Sequence, residues 1–128
     1  MKSLHSLLAA ALATTALASC AQPPAEPESQ RLSRELRALI GPAACTSDSQ
    51  CRSLAVGAKA CGGPAGYWAW STQGVDVQRV NELAARQAEA ARKEVEASGM
   101  RSNCAVTVDP GAICVAERCQ LVTPATAR

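Results

Sequence analysis

The chain has 128 residues with 13 Lys and Arg against 11 Asp and Glu, seven Cys, two Trp, one Tyr and no Phe. Charge this close to neutral gives no electrostatic case for nucleic acid, whose binding draws its affinity from basic patches. An apolar complement made largely of Ala and Val, with three aromatic residues in all, makes a thin core, so a folded domain here needs disulfide support.

The first twenty residues read as an export signal. Lys2 gives a short positive start and residues 7–17 form an uncharged apolar run, the length of a signal-peptide core and short of the roughly 20 residues a membrane span needs. The run ends in Leu17, Ala18, Ser19 and Cys20, which resembles the bacterial lipobox. That resemblance implies cleavage after Ser19, a diacylglycerol on the Cys20 thiol and an acylated amine, so that Cys20 anchors the protein to a membrane. Ordinary cleavage at the small residues Ala16 and Ala18 is the alternative. In the lipoproteins it resembles, Asp after the cysteine signals inner-membrane retention; Ala21 stands here, and the expected address is the outer membrane, facing the periplasm.

Cysteine parity supports lipidation. Setting Cys20 aside leaves six, Cys45, Cys51, Cys61, Cys104, Cys114 and Cys119, enough for three bridges with no stray thiol. Loss of the signal also removes Lys2, leaving 12 Lys and Arg against 11 Asp and Glu, and removes His5, the one histidine. No Ser/His or Cys/His nucleophile pair is then available, no pair of catalytic carboxylates stands out, and the expectation is a non-enzymatic protein without a cofactor.

Residues 20–30 hold Pro23, Pro24 and Pro27 and read as an extended tether. From 29 to 40, Leu32, Leu36, Leu39 and Ile40 fall at helical spacing, with Ser29 as the expected N-cap and Gly41-Pro42 as the stop. That helix packs on the domain or, alternatively, lies on lipid with Arg31, Arg34 and Arg37 near phosphates. Residues 45–51 are expected to form a tight turn or one helical turn capped by Thr46 or Ser47, residues 51–57 a strand, Cys61-Gly62-Gly63-Pro64 a turn, and residues 67–71 a second strand. A long helix is expected over 76–98, burying Val77, Val80, Ala84, Ala88, Ala91 and Val95, with Gly99 ending it. Its other face carries Glu82 with Arg86, Glu89 with Lys93 and Arg92 with Glu96 at i,i+4. Residues 104–108 read as a strand, Asp109-Pro110-Gly111 as a turn, and 113–122 as a hairpin turning at Ala116-Glu117. The fold class is α+β: a disulfide-stapled domain over 31–123, with one short antiparallel sheet on one long helix, a short N-terminal helix, and a tail over 124–128.

Six cysteines allow fifteen pairings. A nested set joins Cys45 to Cys119, Cys51 to Cys114 and Cys61 to Cys104; a local set joins Cys45 to Cys51 and Cys114 to Cys119 and keeps Cys61 with Cys104. The shared Cys61–Cys104 pair is therefore the best single expectation, contributing about 4 kcal/mol on chain-entropy grounds. Zinc is not expected, because no CxxC spacing occurs and an exported site is oxidising.

Trp68 and Trp70 share one face of their strand and either fill the core or form a stacking platform for a sugar or peptide. At Cys45-Thr46-Ser47-Asp48-Ser49-Gln50-Cys51-Arg52, at Ala60-Cys61-Gly62-Gly63-Pro64 and at the final three cysteines, the chain resembles small uncharacterised proteobacterial lipoproteins and secreted proteins, over about residues 32–121. The resemblance implies a fold and an address and carries no activity. The expected role is a membrane-anchored, non-catalytic domain that binds an envelope protein or glycan or supports the envelope. The alternative is a periplasmic inhibitor of a protease or lysozyme presenting the stapled loop 62–66.

Overall fold

The computed structural model describes residues 23–127, so the signal and Cys20 lie outside the described residues. Six elements follow in order: α1 (Glu28–Ile40), β1 (Cys51–Val56), β2 (Gly66–Ser71), α2 (Val77–Ser98), β3 (Ala112–Val115) and β4 (Arg118–Leu121). The α+β class holds, with two two-stranded antiparallel sheets in place of the single sheet expected.

Strand alternation separates two cores. On one face of the β1–β2 pair, Leu54, Val56 and Trp70 join Leu32, Leu36 and Ile40 of α1 and Val80, Leu83, Ala84 and Ala90 of α2. On the opposite face, Ala69 packs against a smaller cluster of Cys45, Cys51, Cys119 and Ala43, completed by Ala112 and Cys114 of the β3–β4 hairpin. The helices thus cover one side of β1–β2 and the hairpin covers the other. An isolated bridge between Ala44 and Arg118 ties the segment after α1 to β4. The hairpin turns at Ala116 and Glu117, both at positive φ (48° and 61°), the type I′ geometry that matches strand twist.

α1 starts at Glu28, within the expected tether, and Ser29 is not its N-cap. Pro27 holds that position without a side-chain cap. The free first-turn amides are met by α2: Glu94 Oε1 accepts from Ser29 N–H at 3.0 Å and Oε2 from Ser29 Oγ at 2.5 Å, placing a carboxylate at a helix N-terminus where the dipole favours it. These bonds hold the Glu94 carboxyl below its ordinary value of 4.5. A carboxylate depressed in the folded state contributes stability that is complete above its unfolded value and lost as pH falls through its folded one. Glu94→Gln is therefore expected to cost about 1 kcal/mol near neutrality, the worth of a helix cap, with the difference shrinking as pH falls below 4.5 and through the lowered folded value. Calorimetric melts across that range check this; a pH-independent difference would refute it.

The buried stripe of α2 is Val80, Leu83, Ala84, Gln87 and Ala90, rotated from the expected one, with Val77 42% exposed. Gln87 explains the rotation. Only 5% exposed, it accepts from Gly57 N–H at 2.8 Å and donates to Ser33 Oγ at 3.1 Å, so a polar residue with satisfied bonds faces the core. On the outer face Arg92 pairs with Glu96 and Lys93 with Glu89 as expected, whereas Glu82 meets Arg79 rather than Arg86. In the turn ending at Cys51, neither Thr46 nor Ser47 caps: Gln50 Oε1 accepts from Thr46 N–H at 2.7 Å instead, and Asp48–Gln50 is a single 3-10 turn.

Residues 104–108 form no strand. Cys104 takes a positive φ of 56°, the Lys59 ammonium donates to the Ala105 carbonyl, and Val106 and Val108 are 86% and 74% exposed. β-favouring side chains here have no neighbouring strand to pair with.

Candidate functional site

Cys61 and Cys104 are bridged as expected. The other four pair as Cys45–Cys114 and Cys51–Cys119, which corrects both the nested and the local set. Nesting presumes one continuous ladder between the two segments. The 3-10 turn breaks residues 45–51 into two levels, while Cys114 and Cys119 stand opposite each other in the hairpin, so both project at the turn and each takes one of its cysteines. The Sγ atoms of Cys45, Cys51 and Cys119 lie within 4.8 Å of one another, but as disulfide sulfurs they offer no thiolate to a metal.

The two tryptophans have separate fates. Trp70 is 3% exposed within the main core and does not reach a surface; its Nε1 has no hydrogen-bond partner among the described residues. Trp68 is half-buried against the same core, and the Arg37 guanidinium sits over its ring at 3.7 Å from the centroid. That face is therefore covered by a cation and is not an open stacking platform.

Arg37 opens onto a cleft of about 540 Å3 between the end of α1, the β2 residues Tyr67 and Trp68, and the β4 residues Arg118 and Gln120. Two forces place Arg37 there: the Trp68 quadrupole beneath it and the carbonyl end of α1, where a cation is favoured. Arg118 is held by its Nε, which donates to the Pro42 carbonyl at 3.3 Å, leaving its terminal nitrogens free of that bond. Neither guanidinium joins an ion pair among the described residues, and no Asp or Glu lines the cleft. Two guanidinium forks in a cleft that Gln120 also lines can receive a carboxylate or phosphate bidentately. Sequence reasoning passed over this pair because 81 residues separate them. The one local signal is that Arg37 has no acidic residue three or four positions away on its helix.

A second cleft, of about 450 Å3, lies between α2 and the loop after β1, with Ala55, Pro64, Ala85, Ala88 and Val95 along its floor and Lys59 and Arg92 at its rim. Arg92 is paired there, with Glu89 at 2.7 Å and Glu96 at 2.5 Å, and its hydrogen bonding lowers the Glu89 carboxyl below its ordinary range, while Lys59 donates to the Ala105 carbonyl. The loop 62–66 beside it is largely exposed, shaped by positive φ at Gly62 and Gly63 and by Lys59 N–H donating to the Gly63 carbonyl at 3.1 Å.

Compared with protein-family models, with curated proteins and with solved structures, the chain matches none.

Proposed function

We propose that the protein is an exported lipoprotein, anchored through Cys20 at the outer membrane, whose stapled domain is a non-catalytic module that captures an anionic envelope component. The observation that carries the binding role is the pair of unpaired guanidiniums, Arg37 on Trp68 and Arg118 on Pro42, in a cleft without carboxylates. Three disulfides suit an oxidising compartment, and residues 23–27 are exposed and free of regular structure, as a spacer requires. The likeness to small proteobacterial lipoproteins at the CGGP turn and the cysteine pattern points the same way.

The test is titration of soluble residues 21–128 with acidic peptides and with uronic-acid oligosaccharides at low and physiological salt. Binding that weakens with salt is expected. Arg37→Ala with Arg118→Ala should weaken it ten- to a hundredfold, the worth of about one lost charged hydrogen bond, in a domain that still melts cooperatively above the assay temperature. Equal binding by the double variant, or no binding to either class, overturns the reading.

The exposed loop 62–66, pinned at Cys61 by the bridge to Cys104, favours a second reading, inhibition of a protease or lysozyme. It is separated from the first by adding the domain to such enzymes and looking for stoichiometric slowing.

A further inference from the structure

The Cys45–Cys114 and Cys51–Cys119 bridges adjoin, because Cys45 of the first has both sulfurs of the second within 4.8 Å. Cys45 is bonded to Cys114 and Cys51 to Cys119, yet the Cys45, Cys51 and Cys119 sulfurs are all within 4.8 Å of one another. Cys114 and Cys119 face each other across the hairpin, at the short Cβ separation of cross-strand pairs. A Cys45 thiolate would thus have both sulfurs of the second bridge within 4.8 Å. Burial sets which sulfur meets the outside first: Cys45, Cys51 and Cys119 are 3%, 4% and 7% exposed, while Cys114 is half-buried.

We propose that Cys114 is a thiol-exchange site, at which an incoming thiolate, from a small thiol or a protein cysteine, rearranges both bridges without net oxidation or reduction. The thiolate attacks Cys114 Sγ, forming a mixed disulfide there and expelling Cys45 as thiolate. A thiolate buried among apolar neighbours is poorly solvated, and the second bridge is the electrophile beside it. Cys45 attacks Cys51 Sγ, forming Cys45–Cys51 and expelling Cys119. The Cys119 thiolate, opposite Cys114, attacks the mixed disulfide, forms Cys114–Cys119 and returns the original thiolate. Two disulfides are present before and after, and one thiolate enters and leaves. Attack of Cys45 on Cys119 instead yields Cys45–Cys119 and Cys51–Cys114 by the same balance.

The exchange has a structural outcome. In the native pairing both bridges join the turn to the hairpin; in the Cys45–Cys51, Cys114–Cys119 product, turn and hairpin each carry a bridge of their own and neither bridge joins them, whereas the Cys45–Cys119, Cys51–Cys114 product keeps them joined. β4 of the hairpin forms one wall of the cleft of Arg37 and Arg118, so release of the hairpin from the turn would loosen it, although the chemistry stands whether or not the cleft binds an anion.

Peptide connectivity tests the step. The oxidised protein is incubated without oxygen with sub-stoichiometric reduced glutathione, quenched with acid, alkylated and cleaved after Lys and Arg and before Asp, which separates Cys104 (102–108) from Cys114 (109–118). Natively, residues 38–47 are linked to 109–118, and 48–52 to 119–128. Exchange should link 38–47 to 48–52 and 109–118 to 119–128, with several proteins converted per thiol and no gain in free thiol; the alternative product, 38–47 with 119–128, equally supports exchange. Stable glutathione on Cys114 with a free Cys45 and an intact Cys51–Cys119 bridge would overturn it. So would unchanged connectivity in these peptides while Cys61–Cys104 opens.

Discussion

Replacing Cys45 and Cys114 together by Ala, or Cys51 and Cys119 together, is expected to cost about 3 kcal/mol, and replacing all four to cost about 6.5 kcal/mol, enough to unfold a domain of this size. Both bridges join the same two segments, with separations of 69 and 68 residues, and both enclose the Cys61–Cys104 bridge. With that bridge intact, either one alone closes a circuit of about 27 residues worth about 3.5 kcal/mol of unfolded-state entropy. Once it is closed, the other restrains only the circuit from Cys45 to Cys51 and back from Cys119 to Cys114, about a dozen residues worth about 3 kcal/mol. The second loss is therefore larger than the first. Urea denaturation of the three variants measures this, and a four-residue replacement costing no more than the sum of the two pairs would show that the bridges act independently.

Cys20→Ser is expected to abolish incorporation of labelled fatty acid and to leave the signal uncleaved, adding residues 1–19 to the mass of the accumulated protein. Each acyl chain contributes about 0.8 kcal/mol per buried CH2, and stable anchoring takes at least two hydrophobic attachments. Uncleaved precursor still carries its apolar run at 7–17, so it can remain with membranes for another reason. Lipid labelling and intact mass together make the test. Undiminished labelling of the variant would refute anchoring at Cys20.

What the sequence disclosed divides by the range of the forces involved. Features set by backbone chemistry over a few residues were legible: the strand at Cys51, the glycine turn at Gly62 and Gly63, the Ala116-Glu117 hairpin and the α2 stop at Gly99, which takes φ 65°. Features set by tertiary partners were not. Gln87 counts as surface in any periodicity, and only the Gly57 amide and Ser33 hydroxyl, 30 and 54 residues away, bring it inside. Ser29 has the chemistry of a cap but is itself capped by Glu94, 65 residues on. Residues 104–108 have strand propensity and no strand beside them. The long-range pair Cys61–Cys104 was shared by both candidate sets, while the four clustered cysteines depended on side-chain directions that a broken turn decides. Of the candidate site, Trp68 and Trp70 are legible in the sequence as core filling or a stacking platform; the place of Trp68 beneath Arg37 comes from the packing of α1 on β2, and the arrival of Arg118 from the bridge between Ala44 and Arg118.

The position of the two tryptophans gives the domain its own optical readout. Trp70 is sealed in the core and Trp68 lies under a guanidinium at the cleft, with one Tyr and no Phe elsewhere in the chain. Indole emission responds to nearby charge. An anion that draws Arg37 off the ring changes the signal of Trp68 and leaves that of Trp70 as an internal reference, so occupancy of the cleft and integrity of the core can be followed separately in one unlabelled sample.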